Sequence, residues 1–331
     1  AKLYIINAVK LAEEIGLGER INTIMQSAFF ALNEHILPYD EAQKLMKEYT
    51  EKAYGRKGRD IVEKNFKAID KGKEGLVEVE VKDAWKNLED APEENDNAKP
   101  GYVKNIAEPI NSLEGYSLPT SAFEEYADGT MENGSTYYEK RGIANYVPKW
   151  NPETCIQCNQ CAFACPHAVI RPFLMTDEEM ENAPEGLQTI DANGKAIKDL
   201  QYKIQISTLD CTGCGVCVSV CPSNPKSLEM EPIGDAIERG EVENARYLYE
   251  EVSPKDNLVK KTNAKNSQFA KPLFEYHGAC AGCGETPYIK LVTQLFGERM
   301  MIANATGSYR RNKKRTVTPF TCVALSLNVL I

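Results

Sequence analysis

Ten of the eleven cysteines in this 331-residue chain fall into three tight groups. Cys155, Cys158, Cys161 and Cys165, followed by Pro166, are spaced C-x2-C-x2-C-x3-C-P, and Cys211, Cys214, Cys217 and Cys221, followed by Pro222, repeat that spacing. Cys280 and Cys283 form a shorter C-x2-C pair. Disulfide frameworks spread their cysteines so that bridges close loops, whereas metal sites gather thiolates a few residues apart on one turn. Three thiolates at i, i+3 and i+6 on a tight loop can hold three irons of one [4Fe–4S] cube. The fourth, expected at the start of a helix, points the other way and ligates a second cube. That rule places Cys155, Cys158, Cys161 and Cys221 on one cluster, and Cys211, Cys214, Cys217 and Cys165 on its partner. Two cubes in one small domain would pass electrons between them.

Zinc is the competing reading, because C-x2-C pairs also hold Zn²⁺ tetrahedrally, but a zinc site has no use for the regular third cysteine and the trailing Cys-Pro. Ala162, Ala164, Gly213 and Gly215 are small enough for backbone to approach sulfur and donate N–H groups to it, one control on reduction potential. His167 follows a Cys-Pro pair, yet all eight cluster positions are filled, so it reads as a packed or surface imidazole, as do His35 and His277.

The elements that must position these groups are mixed. Leu3-Tyr4-Ile5-Ile6 reads as a strand and Ala8–Ile15 as a helix stopped by Gly16 and Gly18. Further helices are expected over Ile21–Leu32, from an Asp40 N-cap to about Tyr54, and over Asp60–Ile69 before Gly72. Residues 76–81 alternate as a strand with one wet face. Glu89–Pro100 is acidic and small-residue-rich, a linker, and 101–150 holds many turn signals and little periodicity, an irregular connector. The stretch between Pro172 and Leu200, with Asp177-Glu178-Glu179, reads as an inserted, solvated acidic loop.

The charge balance, 39 basic against 48 acidic residues for a net of −9, argues against a nucleic-acid partner. No apolar run approaches the roughly 20 residues that span a bilayer, and no signal peptide is present, so the expectation is a soluble cytoplasmic protein with no membrane partner. The chain starts at Ala1 rather than Met, which suggests a processed or excised piece.

Trp150-Asn151-Pro152 leading into Cys155–Cys161, then Cys165-Pro166-His167-Ala168-Val169-Ile170-Arg171-Pro172-Phe173, closely resembles the ferredoxin-like domain of the pyruvate:ferredoxin (flavodoxin) oxidoreductase family. Leu118–Phe123, Asp128-Gly129-Thr130 and Tyr138–Ala144 are similar to its connector. Arg20–Gln26 is similar to the end of its γ-type domain, associated with coenzyme A, and Phe274–Thr286 to the opening of its thiamine diphosphate domain. The resemblance covers about residues 1–307 and makes the chain an interior slice of a longer protein. It implies an α+β multidomain fragment: 1–88, the C-terminal part of the γ-type α/β domain; 89–145, linker and connector; 146–235, a bacterial-type 2[4Fe–4S] ferredoxin-like domain; 236–307, the start of the thiamine diphosphate domain; 308–331, a non-matching tail.

The function so implied is oxidative decarboxylation of pyruvate to acetyl-coenzyme A, with electrons relayed through [4Fe–4S] clusters to ferredoxin or flavodoxin. The complete enzyme would add a third cluster and thiamine diphosphate with Mg²⁺, and would be a homodimer. Cys280 and Cys283 would be two ligands of that proximal cluster, and Glu285 would border the thiamine. No residue of this stretch is expected to be catalytic, and the chain alone should be inactive on pyruvate. Where the family carries a third proximal ligand this chain has Ser308, Cys322 is a poor substitute, and the basic run Arg310–Arg315 matches nothing, so the tail is expected to come from a shifted reading frame. The alternative from another class is a free-standing two-cluster electron carrier, for which the first 75 residues and the Cys280–Thr286 stretch would have no use.

Overall fold

A computed structural model describes residues 2–18, 20–88, 99–128 and 134–300. Most of the expected linker, residues 129–133, and the tail with Ser308 and Cys322 lie outside the described residues. The chain divides into two compact units, Ala1–Asn95 and Asp96–Ile331. Among the described residues no helix is long and apolar enough to cross a membrane.

In the first unit β1 (Leu3–Ile5) is followed by α1 (Ala8–Ile15), which starts where Asn7 Oδ1 accepts from the Lys10 N–H and stops where Gly16 turns left-handed at φ 79°. Then come α2 (Asn22–Leu32), α3 (Tyr39–Tyr54), α4 (Arg59–Glu74) and β2 (Val77–Val79), which returns to pair antiparallel with β1. Ala8, Ala12, Ile24 and Ala68 form the core. Two expectations are corrected. The N-cap of α3 is Pro38, with Asp40 inside the first turn, where its charge favours the helix dipole. Gly72 does not end α4; the helix runs on to Glu74, and Gly72 is there because a Cβ would lie 2.5 Å from Ile24 O and Ser27 Cβ on α2. On the outside, Met25, Phe29, Leu32 and Ile36 leave apolar surface exposed.

The second unit opens with a wide helical turn, Val103–Ala107, running into α5 (Glu108–Asn111), then short 3-10 turns. β3 (Tyr146–Trp150) leads into the first cysteine run, which contains α6 (Gln160–Ala164); β4 (Ile170–Met175), α7 (Asp177–Glu181), β5 (Ile190–Asp191) and β6 (Gln201–Ile206) follow. The second run contains α8 (Val216–Val220) and is closed by β7 (Leu228–Pro232). Beyond it lie α9 (Ile233–Glu238), α10 (Glu241–Glu250), α11 (Ala264–Ser267) and α12 (Thr286–Phe296). β3 pairs antiparallel with β7, and β6 is central between β4 and β5.

Asp177-Glu178-Glu179 is not a solvated loop. It is the first turn of α7, capped reciprocally by Thr176 and Glu179. The Glu179 carboxylate also accepts from the Ser253 N–H, the Ser253 hydroxyl and the Lys255 ammonium, tying this segment to the chain after α10. Burial alone would raise its pKa, but these donors outweigh it and hold the carboxyl near about 2.

Candidate iron–sulfur centres

The ladder of β3 on β7 sets Trp150 opposite Leu228 and Pro148 opposite Met230, two steps apart and therefore on one face. Trp150 and Leu228 wall one cavity; Pro148 and Met230 wall another. The first cavity is also lined by Cys155, Cys158, Cys161 and Cys221, the second by Cys165, Cys211, Cys214 and Cys217. Each thus gathers three cysteines of one run and the last cysteine of the other. They enclose about 310 and 320 Å³ of non-atom space, partly open to solvent, so the two sites suit objects of one size. Among the described residues no three His, Cys, Asp or Glu side chains converge closely enough to hold a single metal ion. Here the thiols surround a space instead of meeting at a point.

The path by which the last cysteine changes sites differs from expectation. Cys161 and Cys217 lie inside α6 and α8, and Cys165 and Cys221 stand at the ends of those helices, as C-caps with extended backbone, not at helix starts. A helix of five residues carries the chain from one cavity to the other. α6 and α8 pack against each other, so the crossing is reciprocal.

Tight backbone serves the loops. Gly213 has φ 68° and donates its N–H to Cys211 Sγ at 3.4 Å, and a Cβ there would lie 3.0 Å from Tyr146 O. Gly215 repeats the left-handed geometry at φ 71°. In the first loop the equivalent positions are Gln157 and Asn159, at φ 55° and 59°. Their side chains explain how non-glycine residues are held there. Asn159 accepts from Tyr202 Oη at 2.6 Å and donates to Lys265 O at 2.8 Å, while Gln157 donates to Asp191 O and accepts from the Asn193 N–H, both at 2.7 Å.

The donor chemistry fits iron–sulfur cubes. Burial pushes the Cys161 thiol well up, and the Cys211 thiol up to about 12, so these sulfurs hold negative charge only against a cation in the cavity. Burial also raises Cys155, partly offset by the Trp150 indole N–H. That N–H is buried, lines the first cavity and lacks a well-formed acceptor, so a cluster sulfur would accept its hydrogen bond. At Cys221 burial pushes up, but N–H and hydroxyl groups of Ser227 and Ser223 prevail and lower its pKa.

Cys280 and Cys283 sit on the loop before α12, with Cys280 exposed and Glu285 at the N-cap of that helix. Donors from Glu285 and Thr286 overcome burial and lower the Cys283 pKa. The loop touches the second cysteine run: a Cβ on Gly282 would lie 3.7 Å from Cys214 Cβ. None of the ten described cysteines is in a disulfide. His167 and His277 are packed side chains, with rings stacked at 4.7 Å between centroids, and burial lowers both pKa values, His277 to about 4; His35 is exposed.

Residues 1–75 match the family described as pyruvate ferredoxin/flavodoxin oxidoreductase, 148–222 the 4Fe-4S dicluster domain, and 88–144 the EKR domain of unknown function. Over 307 residues the chain is 48% identical to pyruvate:ferredoxin oxidoreductase of Moorella thermoacetica, covering 92% of this chain and 26% of that protein. The chain belongs to the pyruvate:ferredoxin (flavodoxin) oxidoreductase family. Pyruvate-flavodoxin oxidoreductase of Enterobacter agglomerans is 49% identical over 306 residues, with the same shares of 92% and 26%. Pyruvate dehydrogenase [NADP(+)] of Cryptosporidium parvum is 42% identical over 336 residues, covering 92% of this chain and 17% of that protein. The chain spans about a quarter of the length of the first two relatives. As a member of this oxidoreductase family, with a dicluster domain at 148–222, it has two [4Fe–4S] clusters as its cofactors.

Of the residues expected from sequence, the structure brings eight cysteines around the two cavities and leaves Cys280, Cys283 and Glu285 outside both linings. Sequence reasoning missed the buried Trp150 N–H on the wall of the first cavity, though the residue stands beside the first run, and it missed Lys290 altogether. This lysine is on α12, and its ammonium reaches the carbonyls that end α6. Burial pulls its pKa down to about 8. A lysine at an apolar-helix position gives no sign in sequence of which carbonyls it will meet.

Proposed function

We propose that this chain is the electron-relay stretch of a cytoplasmic pyruvate:ferredoxin (flavodoxin) oxidoreductase. Electrons released when thiamine diphosphate, with Mg²⁺, decarboxylates pyruvate pass through it to ferredoxin or flavodoxin, and coenzyme A takes the acetyl group. The whole enzyme is a homodimer. The domain plan is 1–88 for the coenzyme A-associated unit, 89–145 for linker and connector, 146–235 for the two-cluster domain, and 236–307 for the start of the thiamine diphosphate domain.

Cys155, Cys158, Cys161 and Cys221 hold one cube, and Cys211, Cys214, Cys217 and Cys165 the other. Cys280 and Cys283 supply two ligands of a third, and Glu285 borders the thiamine. When bound, the cubes supply one-electron storage. The protein orients their thiolates, donates N–H groups to sulfur from Trp150 and Gly213, and excludes water with the strand face that floors both cavities. The supporting observation is the crosswise lining of two equal cavities by four cysteines each.

Anaerobic reconstitution tests the ligands. Iron and acid-labile sulfide should reach two cubes per chain, and Cys165→Ala should damage the cube of Cys211, Cys214 and Cys217 while sparing that of Cys155, read by Mössbauer and EPR spectroscopy. Damage confined to the Cys155 cube would overturn the assignment. Metal analysis showing zinc without sulfide would overturn the cubes themselves.

A further inference from the structure

Lys290 is 1% exposed, yet among the described residues no carboxylate pairs with it. Its Nζ donates instead to three carbonyls: Ala162, Phe163 at 3.0 Å and Cys165 at 3.2 Å. A neutral amine has two N–H donors and an ammonium has three, so this set of acceptors is matched by the charged form. The other nearby cation, Arg171, is neutralised by Glu275. A buried charge without a counter-ion costs several kcal/mol in general, so burial this complete calls for a negative group close by. The ligand residue that Lys290 contacts directly is Cys165, through that residue's own carbonyl, whereas Cys161 is approached only through the carbonyl of the next residue, Ala162; a thiolate on Cys165 would favour the ammonium.

We propose that Lys290 is the fixed counter-charge of the iron–sulfur cube held by Cys165, Cys211, Cys214 and Cys217, and that it raises the reduction potential of that cube relative to its twin. This rests on the ligand assignment above. Reduction adds one electron to an already anionic group, with no bond made or broken, and a cation held on the Cys165 carbonyl in a buried, low-dielectric interior stabilises the added charge. The cation comes from α12, the helix that follows Cys280 and Cys283, so the segment carrying the third cysteine pair also sets how readily the second cube accepts an electron. The hydrogen bonds moor α12 to the end of α6, and the charge acts on the cube; the two roles are separable.

The experiment is an EPR-monitored redox titration, with dithionite as reductant, of the full reconstituted chain, wild type against Lys290→Gln and Lys290→Arg. Glutamine keeps N–H donors for the same carbonyls and removes the charge; arginine keeps the charge. The expected result is that Lys290→Gln retains both cubes but lowers the reduction equilibrium constant of one by at least tenfold, about 59 mV for one electron, with a smaller change in the other, while Lys290→Arg stays near wild type. Two intact cubes with unchanged potentials in Lys290→Gln would overturn the proposal. Loss of cubes in Lys290→Gln would also overturn it, by showing that mooring is the whole role. A wild type that assembles fewer than two cubes would sink the ligand assignment first, so the two failures are told apart by the iron and sulfide content measured before titration.

Discussion

The two cysteine loops share a spacing and a backbone path but not a way of being held. In the second loop the left-handed positions are Gly213 and Gly215, and nothing lies within 4 Å of where a Gly215 Cβ would be. In the first loop Gln157 and Asn159 take those positions and reach outward, to Asp191 and Asn193 beyond β5's start, to Tyr202 on β6 and to the Lys265 carbonyl on α11. The first loop is therefore braced by the long segment between the two runs and by chain after the dicluster domain. The second has no such side-chain brace at Gly213 and Gly215, and it is here that Gly282 approaches Cys214. One repeat of a motif has been built into its own scaffold; the other is free to meet the segment carrying the third cysteine pair.

Replacing Asn159 by Ala should break this contrast most. It removes the acceptor of a buried tyrosine hydroxyl, which costs about 1–3 kcal/mol, and puts an ordinary side chain in the left-handed region, roughly 1–2 kcal/mol more. A loss near 3 kcal/mol in anaerobic denaturant unfolding is expected, with the first cube lost before the second. Tyr202→Phe should come next. Asn159 Oδ1 then loses its donor within a buried network, and a loss of about 2 kcal/mol is expected; an unfolding midpoint equal to wild type would show that the brace carries no load.

Gly215→Ala sharpens the comparison from the other side. With open space around it, only backbone strain of about 1 kcal/mol should appear, and Asn placed there should be tolerated better than Ala. A large loss would mean that the space at Gly215 is not open. The smallest effect is expected from the outer brace. Glu179 titrates near about 2 in the folded chain against an ordinary 4.5, so its contribution is complete above pH 4.5 and fades as acid approaches pH 2. Acid unfolding should show that extra sensitivity in the wild type and lack it in Glu179→Gln; identical acid profiles would remove the carboxylate from the account.

Local features are legible in the sequence because they depend on near neighbours along the chain. The Cys-Pro runs, the Gly16 stop of α1, and the β1 to α1 step are all of this kind. The misread places are those where a distant surface intervenes. Gly72 looks like a stop and is a contact point for α2. Asp177–Glu179 looks like solvated acid and is a capped helix whose glutamate is held by Ser253 and Lys255, more than 70 residues on. The last cysteine of each run is expected at a helix start and lies at a helix end, because a short helix inside the run supplies the crossing.

What the sequence determined by itself is the dicluster chemistry: two C-x2-C-x2-C-x3-C-P runs are the pattern of paired iron–sulfur cubes, because spacing sets which thiols one tight turn can gather. What only the tertiary structure decided is the environment of those sulfurs. Trp150 and Tyr202 come to the wall of the first cavity, and Lys290 to the Cys165 carbonyl, through strand register and helix packing, and burial and electric field depend on where chain segments meet, not on which residues stand beside one another along the chain.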